Sequence, residues 1–150
     1  HSWNGAIFAA AGLERINLKP ETFINLDWMI PAPAQGAMVV VAMEEDTFAR
    51  EALQHLNHKE TEICTAIERN FLKTLEGGCT APIGALATIE KDSISFEGVL
   101  FSLDGKEKHH IKKSCNFADY KSFGGNCAQT ILEQGGAVLM QQLRSQLKVK

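Results

Sequence analysis

The stretch that decides the fold is PIGALATIEKDSISFEGVLFSLDGKEKHHIKKSCNFA, residues 82–118. Three runs with the pattern of strands lie within it, at 83–89, 93–103 and 109–117. Polar and glycine-containing turns separate the runs, and such turns connect neighbouring strands. The stretch therefore predicts three successive strands that form an antiparallel meander.

Helical patterns flank this predicted sheet on both sides. Before it, Asn57 and Glu60 predict a capping box, and apolar residues follow at helical spacing up to Gly77-Gly78, a pair typical of a helix end. After it, residues from 119 onward are helical in pattern and are interrupted at Gly135-Gly136. Residues 57–150 thus predict an α+β domain, a three-stranded antiparallel sheet packed by helices.

The first 56 residues have a different character. A helix is predicted over 6–16, and Pro-Ala-Pro makes 30–36 a stiff connector or hinge. Residues 37–43, AMVVVAM, lack alternation and predict a strand covered on both faces, as in a parallel α/β sheet. Asp46 then caps a helix that runs to about residue 56. This part predicts pieces of an α/β arrangement that lacks its other strands.

Composition narrows the class of protein. The 150 residues are 45% hydrophobic and 22% charged, which is typical of a globular protein, and the net charge of −3 argues against a nucleic-acid partner. No apolar run approaches the ~20 residues of a membrane span. The first residue is His1 rather than Met, so we expect a piece of a longer protein.

Cysteine and histidine usage gives no metal site. The four cysteines include no Cys-x-x-Cys pair, and the five histidines show no ligand spacing, so no metal is predicted. Without a secretory signal, reduced thiols in the cytoplasm are the expected state.

Two candidate sites remain. Cys79 directly follows Gly77 and Gly78, which leave room for a large group at the sulfur, although composition alone favours a buried structural cysteine. A position after a helix C-terminus disfavours a thiolate. Gln35 and Gly36 lie where the connector meets the predicted strand, and either a ligand contact or a simple turn explains them.

Four blocks, in this order, resemble the porphobilinogen deaminase (hydroxymethylbilane synthase) family. They are AAGLER at 10–15, PAPAQGA at 31–37, ERNFLKTLEGGC at 68–79 and PIG at 82–84. The third block is the most specific of the four. The resemblance spans nearly the whole chain but only the C-terminal half of the family's enzyme.

The resemblance implies a function and a cofactor. The family condenses porphobilinogen, with loss of ammonia, into the linear tetrapyrrole hydroxymethylbilane. The product grows on a dipyrromethane cofactor joined by a thioether to a cysteine, which the match places at Cys79 beside Gly77 and Gly78. Gln35 and Gly36 correspond to a segment that contacts the pyrroles. These assignments make the chain part of a transferase of porphyrin and heme biosynthesis.

The resemblance also implies a domain division. Residues 1–29 correspond to the tail of a second α/β domain, and 30–36 to a hinge. Residues 37–56 correspond to a strand and helix that return to the first α/β domain, and 57–150 to the cofactor-anchoring α+β domain. Two residues depart from the family pattern. Ala34 stands where the family usually has Gly, and Met43 where it often has Arg.

The catalytic Asp and most substrate-binding cations of the family belong to the N-terminal half. No catalytic residue is therefore predicted in this chain, and we expect the chain alone to be inactive. Its expected partners are porphobilinogen, the growing oligopyrrole and that N-terminal half. The alternative is a non-catalytic binding or interaction module that keeps the fold. A redox protein built around Cys79 is disfavoured because no second cysteine stands at a useful spacing.

Overall fold

The computed structural model describes residues 4–76 and 81–147. Its sheet consists of β1 (Ile83–Glu90), β2 (Ser93–Phe101) and β3 (Lys108–Asn116). The strand order is β1-β2-β3 and both pairings are antiparallel, with Ala87 opposite Phe96 and Ile94 opposite Cys115. The predicted meander is confirmed: successive strands pair antiparallel across the short connections at 91–92 and 102–107.

Five α-helices accompany the sheet in the described part of the chain. They are α1 (Ala10–Arg15), α2 (Thr47–Gln54), α3 (Lys59–Thr74), α4 (Tyr120–Ile131) and α5 (Ala137–Leu147). A single 3-10 turn, Phe117–Asp119, precedes α4. A kink over Leu132–Gly136 joins α4 to α5, and there Gly135 has a φ of 107°. The predicted interruption of the C-terminal helix is thus confirmed, since a left-handed φ suits glycine.

The core lies between one face of the sheet and the helices α3, α4 and α5. Phe96 of β2 contacts Phe71 of α3 edge to face at 5.1 Å between ring centroids, and Phe123 of α4 at 6.1 Å. A Cβ on Gly98 would lie 2.7 Å from the Phe71 ring, so the glycine gives that ring its space. All buried apolar side chains of this cluster lie between residues 63 and 143. The described part of 57–150 is therefore α+β, with a three-stranded antiparallel sheet packed by helices.

The two predicted helix starts have different outcomes. The Asp46 carboxylate accepts the Ala49 N–H at 2.9 Å and caps α2, as predicted. The capping box at Asn57 is wrong: the Asn57 amide donates to Glu62 at 2.7 Å, and His58 caps α3 by accepting the Thr61 N–H. Because the Asn57 side chain bonds Glu62 instead of a backbone N–H, the cap falls to His58 and the helix starts one residue later.

The predicted strand over 37–43 is absent. In the described part of the chain these residues form no strand and pair with none, and Met38 and Val41 are 92% and 84% exposed. A strand needs a neighbour for its backbone hydrogen bonds, and the described residues offer this run none. Residues 37–43 therefore keep an apolar surface without a partner. The assignment of 37–56 to another α/β domain stays a prediction.

Among the described residues, no helix has both the length and the apolar character to cross a membrane.

Candidate functional site

The loop after α3 carries the predicted anchor. Gly77, Gly78 and Cys79 lie outside the described residues, but both flanks of the loop are described. Leu75 is fully buried in the core, and the Glu76 carboxylate accepts from Arg144 of α5 at 2.7 Å. The chain leaves the helix at Glu76, which has a φ of 54°, one residue before the glycine pair expected to end it. The N-terminal flank of the loop is thus tied to the core and to α5.

The other flank is fixed by the sheet. The Ala81 carbonyl accepts the Ile83 N–H at 2.8 Å, and the Pro82 carbonyl accepts the Phe101 N–H of β2 at 3.0 Å. The loop therefore connects two flanks that contact the core and the sheet, after the last turn of α3 and before β1. Such a scaffold suits a residue that must hold a bulky group in one place.

Gln35 and Gly36 form a tight turn at the end of the 30–36 segment. The Gln35 N–H donates to the Ala32 carbonyl at 3.0 Å, and its side-chain oxygen accepts the Ala32 N–H at 3.2 Å. Ala34 and Gly36 both have positive φ, 60° and 84°. A left-handed φ is strained for alanine, whereas the glycine that the resemblance implies at position 34 would adopt it freely.

This turn borders an open cleft of about 490 Å³ between the 30–36 segment, α3 and β1. Gln35 and Gly36 are exposed on its rim, and its other lining includes Glu60, Cys64 and Glu68. The described lining contains carboxylates but neither Lys nor Arg. The cleft by itself is therefore poorly matched to a polyanionic ligand.

The cleft and the Cys79 loop lie at different levels of α3. The cleft contacts the helix from Thr61 to Glu68, and Leu75 is ~10 Å farther along the axis than Glu68 at 1.5 Å per residue. Neither Glu76 nor Ala81, the described flanks of the loop, lines the cleft. The described residues do not bring Gln35 and Gly36 into one pocket with these flanks.

Glu68 is the buried charged residue of this region, with 5% of its surface exposed. Its two carboxylate oxygens accept the Ala34 N–H at 2.7 Å and the Ala87 N–H at 2.9 Å. Burial raises the pKa of Glu68, and the two backbone donors oppose that rise. From the sequence, Glu68 is expected only within the ERNFLKTLEGGC block and on the flank of the apolar stripe of its helix. The missed signal is its spacing, since Cys64, Glu68 and Phe71 follow the i, i+4, i+7 pattern of a buried stripe.

The described cysteines are free thiols that pack in or beside the core. Burial raises the pKa of Cys64 and Cys115, and it raises the pKa of Cys127 to about 11. The nearby carboxylates Glu68 and Glu60 raise the pKa of Cys64 further. These three thiols are weak nucleophiles, as expected of packing residues. No group of three or more possible metal ligands occurs among the described residues.

Two family models match this chain in succession. The model described as "Porphobilinogen deaminase, dipyromethane cofactor binding domain" matches residues 1–51, and "Porphobilinogen deaminase, C-terminal domain" matches residues 62–133. The first match contains Gln35 and Gly36, and the second contains Glu68 and Cys79.

Curated relatives agree with both models. The porphobilinogen deaminase of Thermus thermophilus is 36% identical over 95% of this chain and 48% of its own length. That of Alkaliphilus metalliredigens is 33% identical over 99% of this chain and 48% of its own length. That of Chloroherpeton thalassium is 44% identical over 72% of this chain and 34% of its own length. The chain spans about half the length of the first two relatives. It belongs to the porphobilinogen deaminase family.

Proposed function

We propose that this chain is part of a porphobilinogen deaminase, the enzyme that condenses porphobilinogen units with loss of ammonia into hydroxymethylbilane. The observation that carries the proposal is the block ERNFLKTLEGGC at 68–79, which lies inside the match to the family's C-terminal domain. Its helical part is the C-terminal half of α3, which packs in the core and leads to a loop whose flanks contact the core and the sheet. The family and the scaffold both suit a fixed attachment point.

In this proposal Cys79 holds dipyrromethane through a thioether, and Gly77 and Gly78 leave space beside the sulfur. When bound, dipyrromethane supplies the pyrrole carbon to which the first porphobilinogen unit is joined. Cys79 then serves as a permanent anchor and does not need a low pKa during turnover. Gln35 and Gly36 contact the pyrroles from the 30–36 segment in the assembled enzyme.

The charge distribution supports a division of roles between this chain and the N-terminal half. Porphobilinogen carries acetate and propionate groups, whereas the cleft beside Gln35 is lined by Glu60 and Glu68 and the chain has a net charge of −3. The cations that bind these groups, and the catalytic Asp, come from the N-terminal half in this proposal. The 150 residues alone then have no synthase activity. The free described thiols agree with the cytoplasm as the location we propose.

A synthase assay tests the proposal directly. We expect no hydroxymethylbilane from the chain alone, and formation of hydroxymethylbilane when it is co-produced with the N-terminal half of the Thermus thermophilus relative. Cys79→Ser should abolish that activity, whereas Cys64→Ser, which removes a partly buried thiol on α3, should retain it. Product from the chain alone, or an active Cys79→Ser variant, would contradict the proposal. Stable association of the halves without product in any preparation would favour a non-catalytic interaction module.

A further inference from the structure

We propose that Glu68 is a positioning residue that docks the 30–36 segment onto the free edge of β1. β1 lies at the edge of the sheet, so every second N–H of this strand points away from β2 and needs another acceptor. The Ala85 N–H finds one in the Pro31 carbonyl at 2.9 Å. The 30–36 segment therefore begins to pair with β1 as a further strand would.

This pairing cannot continue by backbone contacts alone. The next N–H of β1 that points away from β2 belongs to Ala87. The 30–36 segment also points an N–H, that of Ala34, towards the Glu68 carboxylate that Ala87 bonds. Two donors cannot bond each other. The Glu68 carboxylate lies between them and accepts both, at 2.9 and 2.7 Å, so a side chain from α3 replaces the missing carbonyl.

The docking fixes the position of the exposed turn that follows. Ala34 immediately precedes Gln35 and Gly36, so the bond to Glu68 sets where this turn lies against α3 and β1. The segment also approaches the sheet closely at its other end, where a Cβ on Gly84 would lie 2.9 Å from the Ile30 carbonyl oxygen. That this docking positions a pyrrole-contacting turn rests on the proposed function. The docking itself does not.

The chemistry requires two acceptors at position 68. Glu68→Gln keeps the shape of the side chain but replaces one carboxylate oxygen with an NH₂ donor, which cannot bond a backbone N–H. One of the two bridging bonds is lost and the other weakens, because hydrogen bonds to a charged acceptor are the stronger ones. Glu60→Gln is the matched control, since Glu60 lines the same cleft from the same helix and accepts no hydrogen bond in the described part of the chain.

Amide hydrogen exchange of the 150-residue chain, resolved residue by residue, tests the inference. In Glu68→Gln we expect the amides of Ala34, Ala85 and Ala87 to exchange about ten- to hundredfold faster, with Phe96 and Ala128 in the core unchanged. Glu60→Gln should change none of them. Unchanged exchange at Ala34 in Glu68→Gln, or equal acceleration of the core amides, would overturn the inference.

The unsubstituted chain offers a second measurement that does not depend on how the variant folds. Its Ala34 amide should be protected to a similar degree as the Ala85 and Ala87 amides, because all three belong to one docked unit. An unprotected Ala34 amide beside a protected Ala87 amide would overturn the inference. Hydrogen exchange does not report on synthase activity. Failure of the proposed function would therefore leave these results standing, and failure of the docking would leave the synthase assay unaffected.

Discussion

Residues 37–43 and the strand β2 have similar apolar side chains and opposite surroundings. Val99 and Leu100 of β2 are 2% and 0% exposed, whereas Val39 and Val41 are 78% and 84% exposed. β2 has a strand on each side and helices against one face, while residues 4–76 and 81–147 provide the 37–43 run with neither. The comparison shows that an apolar run contributes to stability only where other elements of the chain remove it from water.

The largest expected effect on the free energy of unfolding concerns Phe71, which packs against β2 in the core. Phe71→Ala should lower the free energy of unfolding by about 4 kcal/mol, because Phe71 is fully buried and contacts Phe96. Val40→Ala, in the exposed run, should change it by no more than about 0.5 kcal/mol. Urea denaturation measures both. A loss for Val40→Ala that approached the loss for Phe71→Ala would break the comparison.

The contact between α3 and α4 provides a second test with adjacent residues. A Cβ on Gly124 would collide with the Ile67 backbone carbonyl, so Gly124→Ala should cost about 3 kcal/mol. A Cβ on Gly125 would meet only side-chain atoms, the nearest being the Thr74 Oγ1 at 3.3 Å. Gly125→Ala should be neutral or stabilise by up to about 1 kcal/mol through helix propensity. Equal costs from thermal unfolding of the two variants would contradict the packing described.

A third test measures how far the core shields a thiol. The pKa of Cys127 is raised to about 11, so at pH 8 we expect its alkylation in the folded chain to be about 100-fold slower than in the unfolded chain. Cys115, whose pKa is also raised, should be alkylated in the folded chain faster than Cys127 but more slowly than in the unfolded chain. Mass spectrometry after timed alkylation gives each rate. Equal rates for Cys127 in folded and unfolded chain would contradict its burial.

The same pKa predicts a dependence of stability on pH. Folding favours the protonated thiol of Cys127, so its contribution is fully present below the pKa of an unfolded cysteine. That contribution is lost as the pH rises towards 11. Cys127→Ala should remove this part of the alkaline decline in the free energy of unfolding. A decline of the same size in the variant would contradict the assignment.

The smallest expected effect concerns the 30–36 segment, which precedes the exposed run and bonds β1. Ala34 has a left-handed φ of 60°, so Ala34→Gly should relieve strain and raise the protection of the Ala85 amide about two- to fivefold. Ala32→Gly, at a position without positive φ, should not raise it. Residue-resolved hydrogen exchange measures both variants. Lower protection in Ala34→Gly would show that the turn is not strained.

The features that the sequence predicts correctly depend on local pattern. The three strands, the Asp46 cap and the break at Gly135 each follow from residues close together in the chain. The exposure of 37–43 could not be predicted from its own residues, because burial of this run requires a neighbouring strand from another part of the protein. Glu68 was missed for the same reason, since its two donors lie 34 and 19 residues away.

For the candidate site too, local motifs identified residues, whereas properties that depend on packing could not be predicted. Motifs identified Cys79, Gln35 and Gly36 as candidates, and their roles stay predictions. Pattern alone could not reveal that the cleft beside Gln35 is acidic or that the described flanks of the Cys79 loop lie outside it. Both properties arise from how α3 and β1 are packed.

The most direct test of the proposed function is the intact mass of the 150-residue chain, co-produced with the N-terminal half of a relative and measured under denaturing, reducing conditions. We predict a mass above 16.5 kDa by two linked pyrroles, retained in Cys64→Ser and absent from Cys79→Ser. Added mass that persists in Cys79→Ser would contradict the anchor. So would a bare chain recovered from a preparation that forms hydroxymethylbilane.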